Sequence, residues 1–172
     1  YTRDIGQLNR MRYDVKKIYN QYNEDILTHK IPSCEAIYLA CKRHKDWYER
    51  EDIYFDYDTV DKYIRYVAKL KHSTGEHAGQ PFTLLPWQQW ILANIFGWKY
   101  KDTTFRVISN VFIMISRKNG KTALAAALAL ICATIDNEPN AEIDLVANSA
   151  SQAKIAFNMC YNYSESIDPN KV

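Results

Sequence analysis

Seven consecutive residues, Ser116-Arg117-Lys118-Asn119-Gly120-Lys121-Thr122, gather three cations, a glycine and two hydroxyls in one short stretch. Such a set suits a polyphosphate. Unpaired backbone N–H groups at a helix start point at anionic oxygens, with the positive end of the helix dipole behind them. Gly120 lets the main chain come close, the Lys121 ammonium would reach the β- and γ-phosphates of a nucleoside triphosphate, and the Thr122 hydroxyl would complete the shell of a bridging Mg²⁺. The full pattern G-x-x-x-x-G-K-[ST] also asks for an earlier glycine, and Ile115 stands there instead. Arg117 and Lys118 add two fixed charges inside the loop. Taken alone, Gly-Lys-Thr reads more readily as a basic surface turn ahead of an Ala-rich core helix, so the flanking elements decide.

Those elements have the required character. Val111-Phe112-Ile113-Met114-Ile115 is too short an apolar run for a helix and suits a strand buried on both faces. After Thr122, Ala and Leu dominate up to Ile135, and they are strong helix formers. Asn137-Glu138-Pro139-Asn140 is a turn, and Glu142-Ile143-Asp144-Leu145-Val146-Ala147 reads as a second strand. Asn148-Ser149-Ala150 then opens a helix carrying Ser151, Gln152, Ala153, Ala156 and Phe157. Two strands joined through a helix predict a right-handed parallel βαβ unit. The expected fold class is α/β: an incomplete P-loop NTPase parallel-sheet core over residues 81–172, preceded by a helical region or lid over residues 1–80.

A chain of 172 residues suits one domain, or one with a small appendage. Its 22 basic and 20 acidic residues nearly cancel, so overall charge argues for neither nucleic acid nor membrane. Between Phe82 and Thr122, however, Lys99, Lys101, Arg106, Arg117, Lys118 and Lys121 face only Asp102, which concentrates positive potential at the loop. Cys34, Cys41, Cys132 and Cys160 lack the spacing of a zinc site or a disulfide framework. No signal-peptide pattern is read, and the longest apolar run, residues 123–135, is too short to span a bilayer. A reduced, cytoplasmic protein with no membrane role is expected. The opening on Tyr1 and the close on Ile167-Asp168-Pro169-Asn170-Lys171-Val172, just after a second βα unit, suggest a piece of a longer polypeptide.

Around this centre, Met11, Val15 and Ile18 predict a modest helix within residues 1–24, and Ser33 is a plausible N-cap for a helix running to Glu49. A short aromatic stretch, Ile53-Tyr54-Phe55-Asp56-Tyr57, precedes Asp58 as cap of a helix over residues 59–71, whose apolar stripe is Val60, Tyr63, Ile64, Val67 and Leu70. Residues 72–81 are a loop; His72, Glu76 and His77 could ligate a metal on paper but read better as loop residues. Pro86 begins a helix that Gly97 ends, with Trp87, Ile91, Ile95 and Trp90, Asn94 along its faces. Gln88 and Gln89 sit at its start, where an amide is free to pair with the adjacent acceptor and donor of adenine or simply to be solvated. Residues 103–108 alternate like a strand or hairpin arm.

In order, Leu-x-Pro-Trp-Gln at residues 84–88, Gly97-Trp98, Ser-Arg-Lys-Asn-Gly-Lys-Thr at 116–122 and Ala-Asn-Ser-x-x-Gln-Ala at 147–153 resemble the N-terminal ATPase portion of the large terminase subunit of tailed bacteriophages, a RecA-like (ASCE) fold. The likeness covers about residues 58–162. A glycine-poor loop with an early basic residue is usual in that family, which turns Ile115 into support. The resemblance implies an ATPase using ATP and Mg²⁺, with Lys121 and Thr122 as phosphate and Mg²⁺ ligands and Arg117 as the γ-phosphate sensor, so that Arg117 and Lys121 act in catalysis. It implies that Gln88 contacts adenine, that residues 116–122 line the nucleotide site, and that Ser149 and Gln152 belong to the motif coupling nucleotide to DNA. The implied partners are double-stranded DNA, a small terminase subunit and a portal protein, in a homo-oligomeric ring inside the host bacterium. The family's Walker B strand, catalytic glutamate and nuclease domain are expected beyond Val172, so negligible hydrolysis is expected of this segment alone. A helicase-like DNA translocase, or a non-catalytic module whose basic loop contacts DNA phosphates, are the competing readings.

Overall fold

The computed structural model describes residues 15–72, 78–136 and 138–167. Residues 1–14 of the segment in which a helix is expected, the loop residues Glu76 and His77, and Asn137 and Asp168 lie outside the described residues. The chain divides into two compact units, Tyr1–Asp61 with Leu85–Asn110 and Lys62–Leu84 with Val111–Val172.

The first unit is built on α1 (Val15–Leu27), α2 (Glu35–Asp46) and α4 (Pro86–Gly97), with a 3-10 turn at Trp47–Glu49. Helix α2 starts one residue later than expected: its N-cap is Cys34, not Ser33, and no side chain caps it. Glu35 in its first turn and Arg43 and Lys45 in its last complement the helix dipole instead. Strand β1 (Ile53–Phe55) pairs antiparallel with β2 (Trp98–Tyr100), Tyr54 opposite Lys99. The expected hairpin arm lies against β2: Val107 N–H donates to the Trp98 carbonyl at 2.9 Å, and Tyr100 N–H to that of Phe105 at 3.0 Å.

Helix α4 begins at Pro86, as its sequence demands, and packs on α1. It is buried on almost every side, including Leu92, Ala93 and Phe96 outside the two expected faces. Gly97 closes it for a different reason from the one the sequence suggested. A Cβ there would stand 2.5 Å from Cζ of Phe55 and 2.9 Å from Cγ2 of Val60, so glycine is required by close packing rather than by a left-handed cap.

Helix α3 (Tyr57–Val67) starts among the residues of the first unit, and from Lys62 onward belongs to the second. Its cap is Asp56, not Asp58. Asp56 Oδ1 accepts the Thr59 N–H at 3.0 Å while Oδ2 accepts from Thr59 Oγ1 and from Lys99 Nζ, each at 2.7 Å. The expected stripe holds in full, since Val60, Tyr63, Ile64, Val67 and Leu70 are all buried.

In the second unit, α5 (Lys121–Thr134) packs on α6 (Ala150–Ile167). Leu124, Ala127 and Ile131 of α5 are buried, the small residues allowing close approach. Tyr163 of α6 is 1% exposed and stacks on Phe82, ring centroids 5.8 Å apart.

The two expected parallel strands are not formed. Residues 111–115 and 142–147 carry no regular secondary structure, and Phe112 (88%), Met114 (83%) and Val146 (91%) are exposed. A strand is made by its neighbours. Among the described residues the sheet is the antiparallel β1–β2 pair of the other unit, so these segments have no ladder to join and no second layer to bury them. What stands is a mixed helix-and-strand architecture compatible with an incomplete α/β domain. Among the described residues no helix is long and apolar enough to cross a membrane.

Candidate phosphate-binding site

Residues 116–120 are neither helix nor strand, and α5 begins at Lys121. Gly120 is its N-cap, in the left-handed region at φ 70°, and its carbonyl accepts the Leu124 N–H at 2.9 Å as the first helical bond. Lys118 is left-handed too, at φ 68°, a conformation that costs a residue with a Cβ about 1 kcal/mol. Two left-handed residues on either side of Asn119 turn the chain sharply, and such turns make the main-chain concavities that hold anions.

Asn119 braces the turn. Its Nδ2 donates to Ser116 Oγ at 2.7 Å and lies 3.3 Å from the Ser116 carbonyl and 3.4 Å from that of Arg117. The sequence placed Asn119 in the loop without that role, although its spacing three residues after a serine is the signature of such a closure.

The start of α5 has no side-chain cap and no acidic residue in its first turn. Two other helix starts are closed by side chains: Ser149 Oγ accepts the Gln152 N–H at 3.3 Å ahead of α6, and Asp56 caps α3. At α5 the N–H groups that follow Gly120 keep the positive pole of a 14-residue helix unmatched by any side chain of the described residues. Arg117, Lys118 and Lys121 are exposed around it, and Thr122, at the second helical position, is half-buried. An anion with several oxygens would find cations, amides and a hydroxyl within one turn of chain.

The structure thus brings together Ser116, Arg117, Lys118, Asn119, Gly120, Lys121 and Thr122. Gln88 belongs to the first unit. Its amide is not free at the helix surface: Gln88 is 3% exposed and its Oε1 accepts the Leu85 N–H at 2.8 Å, making a capping-box contact for α4. Gln89 is buried as well. Ser149 caps α6, its hydroxyl 2.9 Å from that of Ser151, and Gln152 is exposed. Among the described residues no group of His, Cys, Asp and Glu could hold a metal, so any cation at the loop would depend on Thr122 and on oxygens brought by the ligand.

Residues 86–168 match the family model described as terminase large subunit, ATPase domain. No curated protein and no solved structure matches the chain. The matched span, just under half of the chain, runs from the first residue of α4 through the loop and α6, and over it the chain is similar to the ATPase domain of terminase large subunits.

Proposed function

We propose that this chain is the ATP-binding part of a terminase large subunit, the motor that couples ATP hydrolysis to the packaging of double-stranded DNA into a capsid. The observation that carries the reading is the turn at residues 116–120, left-handed at Lys118 and Gly120, running into a helix whose start is left uncapped. In this reading the loop amides and the Lys121 ammonium bind the β- and γ-phosphates, Arg117 neutralises the γ-phosphate, and Ser116 and Asn119 hold the loop in shape. Thr122 would share a Mg²⁺ with the phosphates, and the metal would offset charge on the transferred group. Gln88 is the proposed adenine contact; its remaining lone pair and its N–H groups suit that base, while Leu85 keeps the bond already made.

The core proposed for the loop is a RecA-like parallel sheet in which residues 111–115 and 142–147 are strands. Residues 111–115, irregular in this structure, suit such a strand in their alternation, Ile113 and Ile115 half-buried where Phe112 and Met114 are exposed. Double-stranded DNA, a small terminase subunit, a portal protein and a ring of like subunits are the proposed partners, and the host bacterial cytoplasm the place. Ser149 and Gln152 are the proposed link between nucleotide and DNA. Among the described residues no acidic residue follows a suitable strand, so turnover of this segment alone should stay below about one per minute.

Titration of Mg-ATP against the wild type, Lys121→Ala and Arg117→Ala tests the reading. Loss of a charge-assisted contact should weaken binding roughly tenfold or more for Lys121→Ala. Affinity unchanged by that substitution would sink it and favour a module whose basic loop contacts DNA phosphates. An RNase H-like nuclease in the full polypeptide would distinguish a terminase from a helicase with a second RecA-like domain.

A further inference from the structure

The far end of α5 is held by three residues of one helix. Tyr63 Oη donates to Asp136 Oδ1 at 2.7 Å, and Lys62 Nζ donates to the Ile135 carbonyl at 3.1 Å. The Thr134 hydroxyl gives its own proton to the Leu130 carbonyl at 2.6 Å, so Tyr66 Oη, 2.8 Å away, must be the donor to Thr134. Thr134, Ile135 and Asp136 are therefore each tied to α3, and all six residues lie in the second unit. Apolar packing alone would suffice to bury a helix. Directional bonds fix, in addition, its azimuth and its position along its axis.

The charges at this end are unusual. A carboxylate at a helix C-terminus opposes the dipole, so Asp136 is disfavoured there unless a donor meets it. Tyr63 meets it, and the Lys62 ammonium on the Ile135 carbonyl restores the favourable sign.

We propose that Tyr63, acting through Asp136 and with Lys62 and Tyr66 beside it, is a positioning residue for the phosphate loop, an inference that rests on the nucleotide reading of that loop. Helix α5 has 14 residues and contains neither Gly nor Pro, so it moves as a rod about 20 Å long. Tilting that rod by about 5° at the clamp carries Gly120 and Lys121 by nearly 2 Å, and misplacement of that size costs heavily where groups must meet a ligand in fixed geometry.

The test uses Tyr63→Phe, which removes one hydroxyl and keeps the ring, together with Asp136→Asn and Asp136→Ala. Mg-ATP affinity and hydrogen exchange of the amides at 117–122 are read for each, the second without nucleotide. Tyr63→Phe and Asp136→Ala should each weaken Mg-ATP binding by roughly two- to tenfold, the equilibrium worth of one hydrogen bond, and the pair together no further. Asp136→Asn, which can still accept from Tyr63, should bind as the wild type does. Exchange at 117–122 should quicken in the first two and not in Asp136→Asn. Faster exchange confined to residues 131–136, with wild-type exchange at the loop, would overturn the positioning role even if Mg-ATP affinity were too weak to measure. Failure of the wild type to bind Mg-ATP, with loop exchange still following the clamp, would sink the nucleotide reading and leave the mechanical link standing.

Discussion

The side-chain amide of Asn119 donates to the hydroxyl of Ser116 at 2.7 Å, closing the loop across its own base. The bond holds the turn in the absence of any ligand, so part of the ordering cost of binding is already met. Replacing Asn119 by Ala should weaken Mg-ATP binding by roughly two- to tenfold, with the helix content of α5 unchanged by circular dichroism. Asn119→Asp keeps the shape but turns the donor into a carboxylate beside the Ser116 carbonyl and the proposed phosphates. It should lose more than Ala does. Equal affinity for Asp and Asn at this position, measured by calorimetry, would mean that no anion is held there.

His44 makes stability depend on pH. It is 1% exposed, its Nδ1 lies 3.0 Å from both Trp98 Nε1 and Asn94 Oδ1, and its Nε2 has no partner. With Trp98 Nε1–H donating to Nδ1, the neutral ring carries its proton on Nε2, and a second proton, on Nδ1, would break the Trp98 bond inside a shell of the Tyr19, Tyr48, Phe55 and Trp90 rings. Burial, with Arg43 adding to it against the Asn94 bond, pulls its pKa down to about 4 from 6.5. The unfolded chain therefore binds more protons than the folded one between those values. Stability from this residue is intact above pH 6.5, falls as pH drops toward 4, and loses on the order of 3 kcal/mol across the window. Melting temperatures recorded from pH 8 to pH 4 should show that decline, and His44→Phe should flatten it, although its Tm at pH 8 is lower because Trp98 loses an acceptor.

Gly97→Ala sets two effects against each other. Ala is the better helix former by about 1 kcal/mol, but its methyl would stand 2.5 and 2.6 Å from two Phe55 ring carbons. Phe55 is itself buried, with Trp98 and Tyr57 rings at 5.0 and 4.9 Å, and cannot swing aside. Overpacking of this kind costs about 1–3 kcal/mol, so the variant should melt several degrees below the wild type in a thermal scan. A higher melting temperature would show that the ring yields.

The thiols should differ in reactivity. Cys34 is exposed, whereas Cys41 is fully buried, and burial pushes its pKa up to about 12. Since the thiolate is the nucleophile, brief iodoacetamide treatment at pH 8 should modify Cys34 first and Cys41 only after denaturation. Peptide mass spectrometry reads the order directly, and early labelling of Cys41 would contradict the packing of α2.

Features set by neighbours along the chain were legible in the residues alone. The stripe Val60, Tyr63, Ile64, Val67 and Leu70 is buried as its spacing requires, Pro86 begins α4, and Gly120 stands where the loop becomes helix, because helical period, ring geometry and a missing Cβ act within a few bonds. Partners remote in sequence decided the rest. Asp56 rather than Asp58 caps α3 because Lys99, 43 residues away, holds its carboxylate; His44 is paired with Trp98, 54 residues on; and Gly97 answers to Phe55. Residues 111–115 and 142–147 have the apolar character of strands, yet a strand exists only with a neighbour to bond, and among the described residues none is beside them. Local pattern determines which conformations are available to a segment, and tertiary contact, by supplying or withholding hydrogen-bond partners and apolar cover, determines which of them is kept.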